Sequence, residues 1–315
     1  MSGGMDAMPA DRQMPDGQDL PQRGMGGKGG MGGGKGFDSM NQKPTDTQGT
    51  FAPTEETDTV STKGIKAGSL TIDGGSFTID SADDGLHANG SMTILGGELE
   101  IASGDDGIHA DDTVIIADGS VNITTSYEGI EGQHVEIQGG EITLTATDDG
   151  LNAAGGRDGS GFGMRGDTFT QSGDTPSVVI SGGTVNVTAS GDGIDANGTL
   201  DITGGTVTVS GPTYGDTSVL DYDISGTISG GTFLGTGASS MAQTFSKSGQ
   251  GVISVNVGNQ SAGTEISLKN SDGTVILSHT PKLDFEIVII SSPAIKSGES
   301  YTLQVGNMTQ SFTAK

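Results

Sequence analysis

Apolar residues alternate at period two through the middle of the chain. In one stretch they fall at Met92 and Ile94, then Leu99 and Ile101, then Ile108 and Ala110, with polar residues between them. Such alternation turns one face of a short β-strand inward and the other toward solvent. Helical periodicity is missing, and 57 glycines among 315 residues disfavour helix further. Turn glycines punctuate the strands at Gly74-Gly75, Gly96-Gly97, Gly139-Gly140, Gly182-Gly183, Gly204-Gly205 and Gly230-Gly231, with Asp118-Gly119 completing the series. Their spacings are 22, 22, 21, 43, 22 and 26, the 43 reading as two periods. A second marker runs in phase: GLHA from Gly85, GIHA from Gly107, GIEG from Gly129, GLNA from Gly150 and GIDA from Gly193.

A fixed period in this range marks a solenoid, propeller or array. Propeller blades need about twice this length, and the Leu-rich consensus of leucine-rich repeats is absent. The pattern predicts an all-β fold, a parallel β-helix with three short strands per coil. Coils stack ~4.8 Å apart, so Leu86, Ile108, Ile130, Leu151 and Ile194 are expected to form an internal ladder.

Composition divides the chain. Residues 1–60, with seven of the eleven methionines in Gly- and Pro-rich sequence, read as a flexible tether. Residues 61–244 carry the β-helix, with 26 acidic and 4 basic side chains. Within them, residues 155–176 read as a Gly-rich insertion that replaces one coil. Residues 245–315 hold five acids and five bases and longer apolar strands, which suits a C-terminal β-rich cap or small β-domain with a turn at Asn270–Gly273. The hydrophobic share of 31% is low because a thin solenoid buries one inward row per strand. The net charge of −26 repels nucleic acid and attracts divalent cations. Absence of cysteine excludes disulfides, thiol nucleophiles and Cys-ligated metal. No apolar run approaches a membrane span, and the N-terminus lacks the apolar core of a signal peptide. An extracellular or cell-surface location, with the signal or anchor removed, is the expectation.

The acids have a register. Asp83-Asp84, Asp105-Asp106, Tyr127-Glu128, Asp148-Asp149 and Gly191-Asp192 precede successive markers, and His87, His109, Glu131, Asn152 and Asp195 lie three residues beyond the second position of each pair. Stacked carboxylates repel unless protons or a hard cation intervene. Calcium takes six to eight oxygen ligands, carboxylates and carbonyls included. Ca²⁺ sites bridging coils are therefore expected, with Asp105, Asp106, Glu128 and Glu131 at one level and Asp148, Asp149, Asp192 and Asp195 at another; Asp83 and Asp84 extend the column. The alternative is that Asp-Gly only forms turns. His87 and His109 occupy equivalent outward positions, either as transition-metal or acid/base groups or as a plain polar ladder.

These DDG-[LI]-[HND]-A motifs, the in-phase GG turns, the Gly-rich loop after GLNAAGG and the all-β tail resemble the carbohydrate-binding β-helix proteins of bacterial cell surfaces, relatives in fold of pectate lyases. The resemblance covers residues ~60–315 and implies a right-handed helix, bound calcium and binding to plant-cell-wall polysaccharide, cellulose or acidic pectin-like chains. The acids also look like the calcium site of one polysaccharide-lyase family. Asp192 and Asp195 match it, whereas Tyr127, His87, His109 and Asn152 depart from it.

Catalysis is less well provided. Uronate β-elimination needs a basic residue at the sugar, and the middle segment offers only Lys63, Lys66, Arg157 and Arg165. The expectation is a calcium-dependent polysaccharide-binding protein without catalytic residues. A lyase-like enzyme or a surface adhesin are the alternatives. With no Trp and four Tyr, recognition must rest on Asp, Asn and Thr ladders and on calcium bridging to uronates rather than on aromatic platforms.

Overall fold

The computed structural model describes residues 62–154, 174–213, 215 and 217–314. The tether and most of the Gly-rich insertion lie outside these residues. The compact unit runs from Asp58 to Lys315.

The described part of the chain is all β. It winds into a parallel β-solenoid of about seven coils. Each coil lays two strands in a 13-stranded sheet and one in a 9-stranded sheet. The second coil shows the unit: Leu86–Ala88, Met92–Ile94 and Glu98–Ser103. In the third and fourth coils the first two strands fuse into Ile108–Ile116 and Ile130–Ile137.

Parallel pairing holds like residues over like. Leu86 pairs with Ile108, Ile108 with Ile130, Ile130 with Leu151, and Leu151 with Ile194. All five are fully buried, as the periodicity predicts. Further ladders (Ile94, Ile116, Ile137 and Ile180; Leu99, Val121, Ile142 and Val185) fill the space between the sheets. β-branched side chains suit this pleated interior, where each packs on its counterpart above and below.

Two kinds of glycine serve the coil. Gly97 and Gly119 take left-handed φ of 107° and 108°, which L side chains resist. Gly107, in the acidic motif, has no such φ. A Cβ there would lie 2.7 Å from the Gly129 carbonyl oxygen and 2.7 Å from Ile123 Cδ1. The glycine after each acid therefore permits close stacking of coils.

The 43-residue gap is one coil, not two. Glu141 pairs directly with Thr184, and Ile142 with Val185. The Gly-rich segment lies within the fifth coil, between Leu151–Ala153 and Ser177–Ile180. It adds length to a coil and replaces none, so levels on either side of it touch.

After the seventh coil a two-residue strand, Lys247–Ser248, pairs with Ser225–Ile228, and six longer strands follow, from Val252–Gln260 to Met308–Thr313. Phe285–Ser291 pairs antiparallel with the last long coil strand, Thr232–Gly237, and so joins the 9-stranded sheet. Its alternation serves two cores: Ile287 and Ile289 pack into the solenoid, Val288 and Ile290 into the C-terminal cluster with Leu268, Tyr301 and Leu303. The turn at Asn270–Gly273 is present, with Gly273 N–H donating to the Asn270 carbonyl at 3.0 Å.

Candidate functional site

The acidic motifs sit at the corner where the third strand of one coil meets the first strand of the next. Backbone bonds fix the register: Gly85 N–H donates to the Asp106 carbonyl, Gly107 to Glu128, Gly129 to Asp149 and Gly150 to Asp192, all at 2.8–2.9 Å. One column therefore runs Asp84, Asp106, Glu128, Asp149, Asp192. A second runs His87, His109, Glu131, Asn152, Asp195.

Four members of these columns escape the sequence pattern. Lys63 and Lys66 begin them below Asp84 and His87. Ser218 and Asp221 continue them above Asp192 and Asp195. The segment SVLDY lacks the Asp-Gly-Ile marker, and only its pairing with Ile194–Ala196 reveals the coil.

The seam is electrostatically divided. In its amino half the protein supplies cations. Lys63 Nζ lies 2.5 Å from Asp84 Oδ2 and 3.1 Å from Asp83 Oδ1. His109 Nδ1 lies 2.5 Å from Glu131 Oε2 and 3.1 Å from Asp106 Oδ2, and its Nε2 lies 3.2 Å from Asp111 Oδ1. With carboxylates at both ring nitrogens, both carry protons, and neither offers a lone pair to a metal. Burial opposes the charge, but the bonds to Asp106, Asp111 and Glu131 outweigh it and hold the His109 pKa far above the ordinary value. Burial likewise pushes Asp84 up, and the bonds from His87 and Lys63 more than reverse it.

His87 and His109 project from the solenoid core, as their register predicts, but they are not solvent-facing. Each is 1% exposed, and their rings stack at 4.9 Å and 5°. His87 Nδ1 meets Asp84 Oδ2 at 2.7 Å, and its Nε2 faces the Asn89 amide nitrogen at 3.3 Å. The neighbouring rungs bury one another, which strand alternation alone does not disclose.

Among the described residues the carboxyl half has no such compensation. Asp149, Asp192 and Asp195 offer oxygens within 4.8 Å of one another. Among the described residues no ion pair reaches them. Burial, then repulsion from Asp192, Asp148 and Asp195, pushes the Asp149 pKa up to about 8. Burial with repulsion from Asp192 and Asp221 brings Asp195 to about 7, and burial with repulsion from Asp221 and Asp148 brings Asp192 to about 6. Asp149 Oδ1 accepts from the Asp192 N–H at 2.6 Å, and an Asp192 oxygen accepts from the Ser218 N–H. Asn152, 4% exposed, stacks between Glu131 and Asp195. Its Nδ2 donates to Glu128 Oε2 at 2.8 Å, while its Oδ1 is buried without a partner among the described residues.

The expected ligand sets are thus partly assembled. Asp106, Glu128 and Glu131 converge, as do Asp149, Asp192 and Asp195. Asp105 instead joins Asp83 and Asp84, while Asp148 is outside the Asp149 group and contributes its carbonyl to the Gly191 N–H. Ligands of one calcium ion at ~2.4 Å lie at most ~4.8 Å apart, so the Asp149 group is within reach of a single ion. The partnerless Asn152 oxygen beside it fits the same oxygen-rich demand. Burial and repulsion by Glu131 and Asp106 also raise Glu128 well above the carboxylate range.

No helix among the described residues is long and apolar enough to cross a membrane. Neither the curated proteins nor the solved structures yield a match to this chain. A family model does match, over residues 32–107 and 105–311, nearly the whole length of the solenoid and its C-terminal strands. On that match the chain belongs to the family of carbohydrate-binding domain-containing proteins.

Proposed function

We propose that this protein binds uronate-bearing polysaccharide without cleaving it, through calcium held at the carboxyl half of the acidic seam. Family membership supports carbohydrate binding. The observation that carries the calcium reading is the uncompensated group of Asp149, Asp192 and Asp195 beside the partnerless Asn152 Oδ1. In that role the three carboxylates and Asn152 hold the ion, and its remaining ligand positions accept glycan carboxylate oxygens. The ion neutralises both acidic partners, which would otherwise repel. At the other level, Asp106, Glu128 and Glu131 could take calcium only after Glu131 releases His109, so this site is the weaker one.

Of the basic residues a lyase would use, Lys63 is engaged by Asp83 and Asp84, Lys66 stands in register with His87, and Arg157 and Arg165 lie outside the described residues; the family match to a carbohydrate-binding domain favours binding over cleavage. An all-oxygen site of this kind suits the calcium of extracellular fluid, where modules bind with Kd on the order of 10⁻⁴–10⁻³ M. We accordingly place the protein outside the cell.

Calorimetric calcium titration followed by pull-down on polygalacturonate and on cellulose tests this. The expected result is calcium uptake lost in Asp149→Asn/Asp195→Asn, and acidic-polymer binding abolished by EDTA. Retention of polygalacturonate in EDTA would overturn calcium bridging, and retention of cellulose alone would move recognition to a neutral glycan.

A further inference from the structure

We infer that Asn89-Gly90 is a covalent modification site, at which intramolecular deamidation adds a carboxylate to the edge of the seam. This inference does not depend on the calcium reading. Asn89 is exposed at the bend between Leu86–Ala88 and Met92–Ile94. The residue after it has no side chain to obstruct an approach to its nitrogen. The Gly90 carbonyl accepts from the Asp112 N–H at 3.3 Å, but among the described residues the Gly90 N–H donates to no acceptor. That nitrogen is free to act as nucleophile.

The step balances without a redox partner. The Gly90 nitrogen loses its proton and attacks Cγ of Asn89, and the new C–N bond closes a succinimide. The side-chain amide nitrogen departs with that proton as ammonia. Water then adds to either imide carbonyl and opens the ring, giving aspartate or isoaspartate. His87 Nε2 lies 3.3 Å from Asn89 Nδ2, the leaving nitrogen, within proton-transfer reach.

The sequence holds its own comparison. Asn197-Gly198 is the same dipeptide at the equivalent bend of the sixth coil. There the Gly198 N–H donates to the Ala196 carbonyl at 2.5 Å, Gly198 is buried, and Asn197 Nδ2 is held by Asp195 Oδ2 at 3.4 Å. Both side-chain amides have a polar neighbour, Asn89 meeting His87 and Asp111, so the contrast lies in the nucleophile, engaged at Gly198 and, among the described residues, not at Gly90.

The product has a precedent one coil away. Pairing of Met92 with Val114 places Asn89 level with Asp111, whose carboxylate lies 3.2 Å from His109 Nε2. Deamidation would give His87 the partner that His109 already has.

Ageing the full chain at neutral and mildly alkaline pH, followed by peptide mass spectrometry, tests the proposal. Aspartate and isoaspartate should accumulate at position 89 several-fold faster than at 197, and faster at the higher pH. Asn89→Gln should remove most of the acidic species on anion exchange, and Asn89→Asp should co-elute with one product. Equal rates at the two dipeptides, or an unchanged acidic species in Asn89→Gln, would overturn it.

Discussion

His109 and Glu131 are register partners on adjacent coils, and the imidazole Nδ1 lies 2.5 Å from the carboxylate Oε2. The ring is the positive centre of a cluster that also contains Asp106 and Asp111. Removing it would leave Asp106, Glu128 and Glu131 facing one another in a buried space.

His109→Gln should therefore destabilise the protein by about 3–5 kcal/mol at neutral pH in EDTA, the cost of orphaning one side of a buried ion pair. The loss should shrink near pH 5, where the abandoned carboxyls take up protons, and should be partly recovered by calcium. Thermal melts in the four conditions check this. A loss independent of both pH and calcium would make His109 a packing residue only.

Asp149, Asp195 and Asp192 have folded-state pKa values raised to about 8, 7 and 6. An unfolded aspartate titrates near ~3.9, so between these values the folded chain binds more protons than the unfolded one. Stability without metal then falls as pH rises from about 4 through about 8 and levels off beyond. Calcium should flatten this decline by taking the place of the protons. Urea denaturation across that range, with EDTA or calcium, measures both slopes.

Asp192→Asn should lower the melting temperature in calcium and leave it unchanged or raised in EDTA, since it removes a ligand but also a like charge. The doublet replacements Asp105→Ala/Asp106→Ala and Asp148→Ala/Asp149→Ala should follow the same sign for their ligand members. Equal losses with and without calcium would leave these acids as turn formers.

Gly107→Ala forces a Cβ to within 2.7 Å of the Gly129 carbonyl oxygen and of Ile123 Cδ1. Overpacking of this kind costs about 1–3 kcal/mol. Gly68→Ala, with nothing within 4 Å of the added carbon, should stay within about 0.5 kcal/mol of the parent. Urea midpoints of the two variants separate stacking from backbone freedom.

The period, the inward ladders from Leu86 to Ile194, and the columns of acids were legible because each depends on spacing along the chain. A coil of fixed length returns each residue type to the same place, so counting residues is enough to stack Asp106 over Asp84. What counting could not give was which levels are neighbours across an insertion, and which charges meet. The 43 residues between turn glycines fit two coils arithmetically, and only the pairing of Glu141 with Thr184 makes them one. The burial of His87 and His109 arises from contacts between rungs, as does the clamp of Lys63 on Asp84. Ser218 and Asp221 joined the columns through backbone pairing that their sequence does not announce. Repetition is written in the chain itself. Charge compensation depends on distances across space, and so the contrast between a seam half neutralised by Lys63 and His109 and a half left to Asp149, Asp192 and Asp195 belongs to the tertiary structure alone.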